Sequence, residues 1–287
     1  MRKMMMAAGA LALAACGTNV QTSSGADYLA RAPLSVSAVG AEADGSADAI
    51  RAAASVEPLL RFPAKIGIAR IEGGVLTPIP DAEMAAFAAV LEETGGAYGE
   101  FVPLNLLVTA MAVPEEQLGA LSADPSRRRM GNHHTGYKDQ IATGGLSRAR
   151  AAVEAIRIGA ARQHMDGVFV YEVFGTADSK QSPLSIGNLT ILGAFMLPGS
   201  KVEAVGHAEG ILVDVRNGYP YLTASETVTR DGLAASARAW NRALDKKEQA
   251  QAQAVQDMAD TLPAAFAKLA VELGNLPTPA TEVAAAE

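Results

Sequence analysis

The side chains in this sequence that are best able to do chemistry fall into three groups. The first is Cys16, the only cysteine. The second lies in one segment rich in Gly and Pro and comprises Arg127, Arg128, Arg129, His133, His134 and Tyr137. The third is a pair of carboxylates on apolar stretches, Glu172 and Asp214. A thiol can be covalently modified, imidazoles can bind metals or protons, and paired carboxylates can act as acid and base.

Cys16 ends a short targeting segment. Arg2 and Lys3 precede an apolar run of about 12 residues, which is shorter than the ~20 that a membrane-spanning helix needs. The ending Leu13-Ala14-Ala15-Cys16 resembles the lipobox of bacterial lipoproteins. This resemblance implies that residues 1–15 are a signal peptide and that Cys16 becomes the acylated N-terminus, with palmitate-type chains. By analogy with other lipoproteins, Gly17 implies an outer-membrane lipid anchor facing the periplasm. The alternative is an ordinary signal peptide with a chance cysteine.

The charge balance excludes several partners. The formal net charge is −7, and removal of residues 1–15 with Arg2 and Lys3 makes it about −9. Such an acidic chain is not expected to bind nucleic acid or anionic lipid headgroups by electrostatics. Membrane attachment is therefore expected from the acyl chains, each buried CH₂ contributing about 0.8 kcal/mol.

The second group favours recognition over metal chemistry. His133 and His134 are adjacent, so their side chains do not converge, and no Glu or Asp stands at helical spacing from them. We therefore predict no metal and no cofactor. Arg127-Arg128-Arg129 is the only tight basic cluster, and residues 122–145 read as a long loop. We expect this loop to contact an acidic or anionic envelope partner, a protein or a cell-wall component. A mobile loop with no partner is the alternative.

No catalytic motif is present. The sequence has no Gly-x-Ser-x-Gly, Ser-x-x-Lys or His-Glu-x-x-His, and nothing fixes the separation of Glu172 and Asp214. We therefore predict no catalytic residues and a non-enzymatic binding or assembly module. An oligomeric secretion or channel-assembly subunit is the first alternative, and a periplasmic hydrolase is the second.

The composition divides the chain into four parts. Residues 16–57 are rich in Ala, Ser, Gly and Asp and predict a flexible tether with a reach of about 35 Å. A first helix within residues 50–60 is the alternative. Residues 58–274 predict a single α/β domain, and residues 275–287 a disordered tail.

The first half of that domain alternates strands and helices. Residues 64–71 and 168–174 predict strands, and residues 101–111 a strand buried on both faces. Asp81 is expected to cap a helix that ends at Gly95-Gly96, and Ser147 a second that ends with Gly167 in a left-handed turn. This βαβ rhythm predicts parallel pairing.

The second half predicts an antiparallel meander of residues 188–197, 201–216 and 219–229. Asn217-Gly218 predicts a type I′ turn, and Pro220 an edge strand. A helix is expected from Asp231, with Trp240 as a core anchor and a kink or restart at Pro263. A second apolar stripe completes it: Val255, Met258, Leu262, Phe266, Leu269 and Leu273. The predicted fold class is α/β, a three-layer βαβ-type domain whose mixed sheet ends in a meander, with a C-terminal helix.

The order of elements resembles known lipoproteins. The stretches DGVFVYEV (166–173) and EGILVDVRNGYPY (209–221) resemble the periplasmic domain of the curli-secretion lipoprotein family. The lipoproteins that activate penicillin-binding proteins share that architecture. The pattern LPG … DVRNGYPY also resembles, more closely, a group of proteobacterial lipoproteins without an assigned activity. The resemblance implies the fold over residues 62–273 and carries no activity.

Overall fold

The computed structural model describes residues 17–31, 44–94, 96–112, 146–181 and 200–274. Within them the strands are β1 (Gly17–Val20), β2 (Ala64–Glu72), β3 (Val75–Thr77), β4 (Tyr98–Pro103), β5 (Gly167–Gln181), β6 (Ser200–Asp214) and β7 (Pro220–Ala234). The α-helices are α1 (Gly25–Arg31), α2 (Asp44–Ala54), α3 (Asp81–Glu93), α4 (Leu106–Ala112), α5 (Leu146–Arg162) and α6 (Ala239–Gly274). A short 3₁₀ helix, Ser236–Arg238, precedes α6.

The strands of the described residues form one mixed sheet of seven. Its order is β1-β7-β6-β5-β2-β3, and β4 also pairs with β2. β2 runs parallel to β4 and β5, which confirms the parallel pairing predicted from the βαβ rhythm. The remaining pairs are antiparallel. The predicted α/β class with a mixed sheet and a C-terminal helix is confirmed.

Helices cover both faces of the sheet. On one face α3 and α6 pack on a core that contains the whole predicted second stripe of α6, from Val255 to Leu273. On the other face Ile156 and Ala160 of α5 pack against Val168 and Val170 of β5. α6 is continuous through Pro263, so the predicted restart there is wrong.

The predicted strand over residues 101–111 is wrong beyond Pro103. Asn105 starts α4 instead, because its side-chain Oδ1 accepts hydrogen bonds from the backbone N–H groups of Leu107 and Val108. Leu107 and Met111 are 76% and 74% exposed. The apolar residues after Asn105 therefore form a short surface helix and not a buried strand.

Two predicted helix ends differ in detail. Pro80 occupies the N-cap position of α3 with extended backbone, so Asp81 is the first helical residue rather than the cap. α5 ends at Arg162, and His164 in the turn after it takes the left-handed conformation at φ 57°, while Gly167 begins β5. The Met165 N–H donates to the carbonyl of Ala160 at 3.1 Å and closes the helix.

The meander is composed differently from the prediction. β5, β6 and β7 form it, whereas the predicted strand over residues 188–197 lies outside the described residues. β7 is no edge strand at Leu222, because β1 pairs along it there. β7 also continues through Asp231 to Ala234, so the predicted helix start at Asp231 is wrong. Trp240 is 45% exposed and is not the predicted core anchor.

The β6–β7 connection is not a type I′ turn. Gly218 has φ +75°, but Asn217 lies outside the positive-φ region that such a turn requires at both central residues. The Asn217 side chain instead accepts from the Tyr219 N–H at 3.0 Å and donates to the carbonyl of Glu57 at 2.7 Å. A five-residue connection therefore replaces the predicted two-residue turn.

The predicted tether over residues 16–57 is wrong where the structure describes it. Gly17–Val20 is the edge strand β1, and α1 and α2 occupy much of the rest. The alternative of a helix within residues 50–60 is confirmed for residues 50–54, which belong to α2, and is wrong beyond Ala54, where α2 ends. β1 has the polar sequence GTNV and is held by backbone pairing, which leaves no apolar period in the sequence.

Candidate functional site

None of the predicted site residues falls within the described part of the chain. Cys16 directly precedes the first described residue. Arg127, Arg128, Arg129, His133, His134 and Tyr137 all lie in the interval 113–145, which the structure does not describe. What the structure does place is the sheet edge that follows Cys16.

That edge is defined by the pairing of β1 with β7. Gly17 is opposite Ser225, and Val20 is opposite Leu222. The ladder continues with a hydrogen bond from the Gln21 N–H to the carbonyl of Tyr221 at 2.8 Å. The residue after Cys16 is therefore already part of the sheet.

Side chains hold the segment after β1 as well. The Thr22 hydroxyl donates to Glu272 of α6 at 2.8 Å, and the Tyr219 hydroxyl donates to the carbonyl of Ser23 at 2.7 Å. Glu57 accepts from the Ser24 hydroxyl and from the Ala26 N–H, at 3.0 and 2.9 Å. These contacts join the start of the chain to the β6–β7 connection and to α6.

A buried hydrogen-bond group lies under this segment. The Tyr221 hydroxyl donates to Asp214 Oδ2 at 2.8 Å and accepts from the N–H groups of Leu59 and Leu60 at 2.8 and 2.6 Å. Burial, with the Asp214 charge beside it, raises the pKa of Tyr221. Asp214 is fully buried and also accepts from the Arg216 N–H. The group fixes residues 59–60 on the sheet.

Glu172 and Asp214 do not form a carboxylate pair. Asp214 is opposite Gly167, so Glu172 lies five residues further along β5, about 17 Å away at ~3.3 Å per residue. The odd spacing also places them on opposite faces of the sheet. The arrangement excludes concerted acid–base chemistry by these two residues.

A crevice of about 330 Å³ opens at the carboxyl ends of β2 and β4, beside the start of α3. Parallel strands commonly bind ligands at this position. Three of the side chains that line it are polar: Arg70, Thr77 and Asp81. The Arg70 guanidinium donates hydrogen bonds to Glu83 at 3.1 Å, to Glu72 at 2.7 Å and to Thr77 at 2.9 Å.

The tyrosine behind this crevice is committed too. The Tyr171 hydroxyl donates to Glu83 at 2.6 Å, and burial together with this hydrogen bond raises the pKa of Tyr171. Arg70, Glu72, Thr77, Glu83 and Tyr171 therefore satisfy one another, as a structural ion-pair network does. Across the described ranges, no group of three or more His, Cys, Asp or Glu side chains is placed to hold a metal ion.

β5, β6 and β7 continue beyond their neighbours as a three-stranded ribbon, residues 174–181, 200–207 and 226–234. β2 pairs with β5 only as far as Val173, and β1 pairs with β7 only from Leu222 to Ser225. α6 covers one face of the ribbon, where Gly206 lies against the backbone of Ala250 and Gln251. Both outer strands of the ribbon lack a strand partner among the described residues. No helix in the described residues is both long and apolar enough to cross a membrane.

Comparisons with known proteins show only distant likeness. No protein-family model matches the sequence, and no curated protein matches it. The PelC dodecamer of Paraburkholderia phytofirmans is 13% identical, with 74% of this chain and 91% of that chain covered, at a TM-score of 0.27. Lipoprotein GNA1162 of Neisseria meningitidis is 17% identical, with 59% and 85% covered, at 0.23. Protein CT253 of Chlamydia trachomatis is 10% identical, with 73% and 99% covered, at 0.24. Likeness at these TM-scores assigns neither a family nor a role.

Proposed function

We propose that this chain is a lipid-anchored envelope protein that acts without catalysis, as a binding or assembly module held directly at the membrane surface. The proposed anchor consists of acyl chains on Cys16, which insert into the outer membrane. The folded domain then faces the periplasm. The observation that carries the proposal is the pairing of Gly17 with Ser225, which joins the lipobox-like ending of residues 13–16 to the sheet without a spacer.

A direct junction has a mechanical consequence. A tether of about 40 residues would let the domain wander some 35 Å from the lipid, whereas a strand that starts one residue after the anchor holds it at the surface. The contacts of Thr22, Ser23 and Ser24 extend this hold along the chain. A binding module held in this way stays within one residue's reach of its anchor.

The polar groups of the domain support a non-enzymatic role. Those around Arg70 and Tyr171 and those around Asp214 and Tyr221 are engaged with one another, and the two tyrosine pKa values are raised by burial. Catalytic acids and bases need pKa values near the working pH. Neither tyrosine supplies such a pKa.

The anchor is tested with Cys16→Ser in the full chain. We expect the wild-type protein to incorporate labelled fatty acid and to sediment with membranes. Its intact mass should equal that of residues 16–287 with an acylated Cys16. Cys16→Ser should lose the label and leave the membrane fraction. Equal labelling of the two proteins contradicts the proposal.

The choice of membrane is tested at Gly17. A side chain added there meets nothing within 4 Å, so substitution does not disturb β1. We expect Gly17→Asp to shift the protein toward the inner membrane on a sucrose gradient, while Gly17→Ser stays in the outer membrane. The same distribution for both variants contradicts the proposed outer-membrane delivery.

A second candidate is an assembly subunit that associates with copies of itself, and the ribbon favours it. Its outer strands carry backbone donors and acceptors that no described strand pairs with, and such edges readily add strands from another chain. Sedimentation of the acylated chain in mild detergent tests this candidate. Species heavier than a monomer are expected, and a single monomeric species over a wide concentration range contradicts it.

A further inference from the structure

The proposed lipid anchor places a bond that must be cut directly beside the sheet. An acylated N-terminus at Cys16 requires hydrolysis of the peptide bond between Ala15 and Cys16. Gly17, the next residue, is already opposite Ser225 of β7. Consecutive Cα atoms are about 3.8 Å apart, so this bond lies within roughly 8 Å of a paired strand whenever β1 is in the sheet.

The surroundings of that bond are crowded while β1 is paired. One register step beyond Ser225 is Glu226, which is 4% exposed. Its neighbours on the same face of β7, Ala224 and Val228, pack in the core that α6 covers. Strand β7 and helix α6 therefore occupy one side of the chain next to the cut. A peptidase has to enclose its bond and hold residues on both sides of it, so a paired β1 and hydrolysis of this bond exclude each other.

Strand β1 is held weakly. Its sequence is GTNV, and Gly and Asn are depleted in strands. Its first three residues are exposed, and of the four Val20 is the one that packs against the core. Among the described strands β1 pairs only with β7. Segments with few buried apolar contacts open locally at a low cost in free energy, and β1 is such a segment.

Side-chain contacts to the body of the domain begin after β1. The Gln21 N–H donates to the carbonyl of Tyr221 at 2.8 Å, and the Thr22 hydroxyl donates to Glu272 of α6 at 2.8 Å. If β1 opens while these bonds persist, residues 16–20 are released and reach about 17 Å at ~3.4 Å per residue. That reach carries the bond to be cut clear of β7 and α6.

We infer that β1 lies outside the sheet when the bond between Ala15 and Cys16 is hydrolysed, and that it pairs with β7 after the cut. Water adds across the bond: the hydroxyl joins the carbonyl carbon of Ala15, and the proton joins the nitrogen of Cys16. Residues 1–15 leave with a new carboxylate, and Cys16 keeps the new amino group. β1 then closes and brings the acylated end against the sheet. This order of events rests on the proposed lipid anchor at Cys16.

A disulfide between β1 and β7 tests this order. Thr18 is opposite Ala224. Because Gln21 and Tyr221 form a hydrogen-bonded pair, the alternation of antiparallel pairs makes Thr18 and Ala224 a non-hydrogen-bonded pair. The Cα atoms of such a pair are about 4.5 Å apart, which is within the range of a disulfide. Thr18→Cys/Ala224→Cys, called the β1 lock, therefore holds β1 on β7 when it is oxidised.

A matched control places the same kind of disulfide away from β1. Glu203 and Asp231 are opposite each other on β6 and β7, and both are exposed. Glu203→Cys/Asp231→Cys therefore joins two strands of the ribbon and leaves β1 free to open. Cys16, the only native cysteine, carries lipid on its sulfur in the membrane-bound precursor, so the introduced cysteines are the only free thiols.

The experiment measures the rate at which the full-length, lipid-modified precursor is cut. Each precursor is accumulated with a signal-peptidase inhibitor, purified in detergent, oxidised or reduced, and then given the peptidase without inhibitor. The oxidised β1 lock should be cut at least about tenfold more slowly than wild type, because the disulfide removes the open state. Reduction should restore the wild-type rate. The control should be cut at the wild-type rate in both states.

Each outcome decides the order of events. An oxidised β1 lock that is cut as fast as its reduced form overturns the inference. A β1 lock that forms in the mature chain but not in the precursor supports it, because β1 is then unpaired before the cut. A β1 lock that forms in neither chain overturns it, because β1 then does not pair with β7.

The inference and the proposed anchor fail differently. If Cys16 carries labelled lipid and the oxidised β1 lock is cut at the wild-type rate, the anchor stands and the order of events is wrong. If Cys16 carries no lipid and the chain is never cut after Ala15, the anchor itself is wrong, whatever the β1 lock does.

Discussion

The Tyr221 hydroxyl donates a 2.8 Å hydrogen bond to Asp214, and both residues are fully buried between the sheet and residues 59–60. The same hydroxyl accepts from two backbone N–H groups, those of Leu59 and Leu60. One oxygen atom thus serves three partners. It is one of the points at which the N-terminal segment is held to the β6–β7 hairpin, beside the bonds of Asn217 to Glu57 and of Tyr219 to Ser23.

Tyr221→Phe removes that oxygen and keeps the ring. Two buried donors and one buried carboxylate oxygen lose a partner, so we expect the free energy of unfolding to fall by about 2 kcal/mol or more. Denaturant unfolding monitored by circular dichroism measures the loss. Tyr28→Phe, on a half-exposed side chain, is the control and should leave the midpoint unchanged. A Tyr221→Phe protein as stable as wild type shows that the hydroxyl does not fasten the segment.

The contact between β6 and α6 predicts the effect of Gly206→Ala. A Cβ at this position would overlap the backbone of Ala250 and Gln251, so the helix must move or the strand must bend. We expect a loss of about 1–3 kcal/mol, as for other overpacked sites. Gly99→Ala is the control, because a Cβ there makes only ordinary contacts at 3.8 Å. If the two variants melt at the same temperature, α6 does not pack on the ribbon this closely.

The ribbon also predicts a pH dependence at His207. Burial lowers the pKa of His207, whose ring stacks on Phe174 at 4.8 Å between centroids and whose Nδ1 lies 2.9 Å from the Thr227 hydroxyl. The folded protein therefore favours the neutral ring. Its contribution to stability is complete above the unfolded pKa of about 6.5 and is lost as the pH falls below it.

His207→Gln keeps a polar side chain and removes the titration. Unfolding measured from pH 7.5 to 5.5 should lose less stability in this variant than in wild type, after the carboxylate contribution common to both is subtracted. Parallel pH profiles contradict a role for His207, and a wild type that gains stability on acidification contradicts the sign.

How far the sequence predicted this fold depended on the kind of force involved. Residues 168–174 and the stripe from Val255 to Leu273 were correct, since burial leaves an apolar period in the sequence. β1 was missed because a polar edge strand is held by backbone hydrogen bonds, which any side chains permit. The run 104–111 was misread because Asn105 outweighed the β-like composition.

Of the candidate site, the sequence alone predicts only the lipid anchor at Cys16, and this stays a prediction. The pairing of the residue after Cys16 with the sheet depends on register, which sequence patterns do not encode for a polar strand. Trp240 was assigned to the core from its helical spacing. The helix predicted from Asp231 begins only at Ala239, because β7 extends to Ala234. At the start of α6, Ala239 and Ala243 face the core, and Trp240 lies beside them on the exposed side.

The basic segment of residues 122–145 stays a prediction of its own. Replacement of Arg127, Arg128 and Arg129 together by Ser should weaken capture of an acidic envelope partner and reduce its salt dependence. Thermal stability should barely change, because exposed charges contribute little. Identical pull-downs with identical salt dependence show that this segment is not the recognition surface.

The measurement that tests the direct junction of anchor and sheet is hydrogen exchange of the acylated full chain in vesicles, read over residues 17–22. A strand docked on β7 predicts that these amides exchange as slowly as those of residues 222–225, and that Cys16→Ser in solution retains this protection. Exchange of residues 17–22 at the rate of an unstructured chain, beside a protected β7, would contradict the central claim and restore a flexible tether.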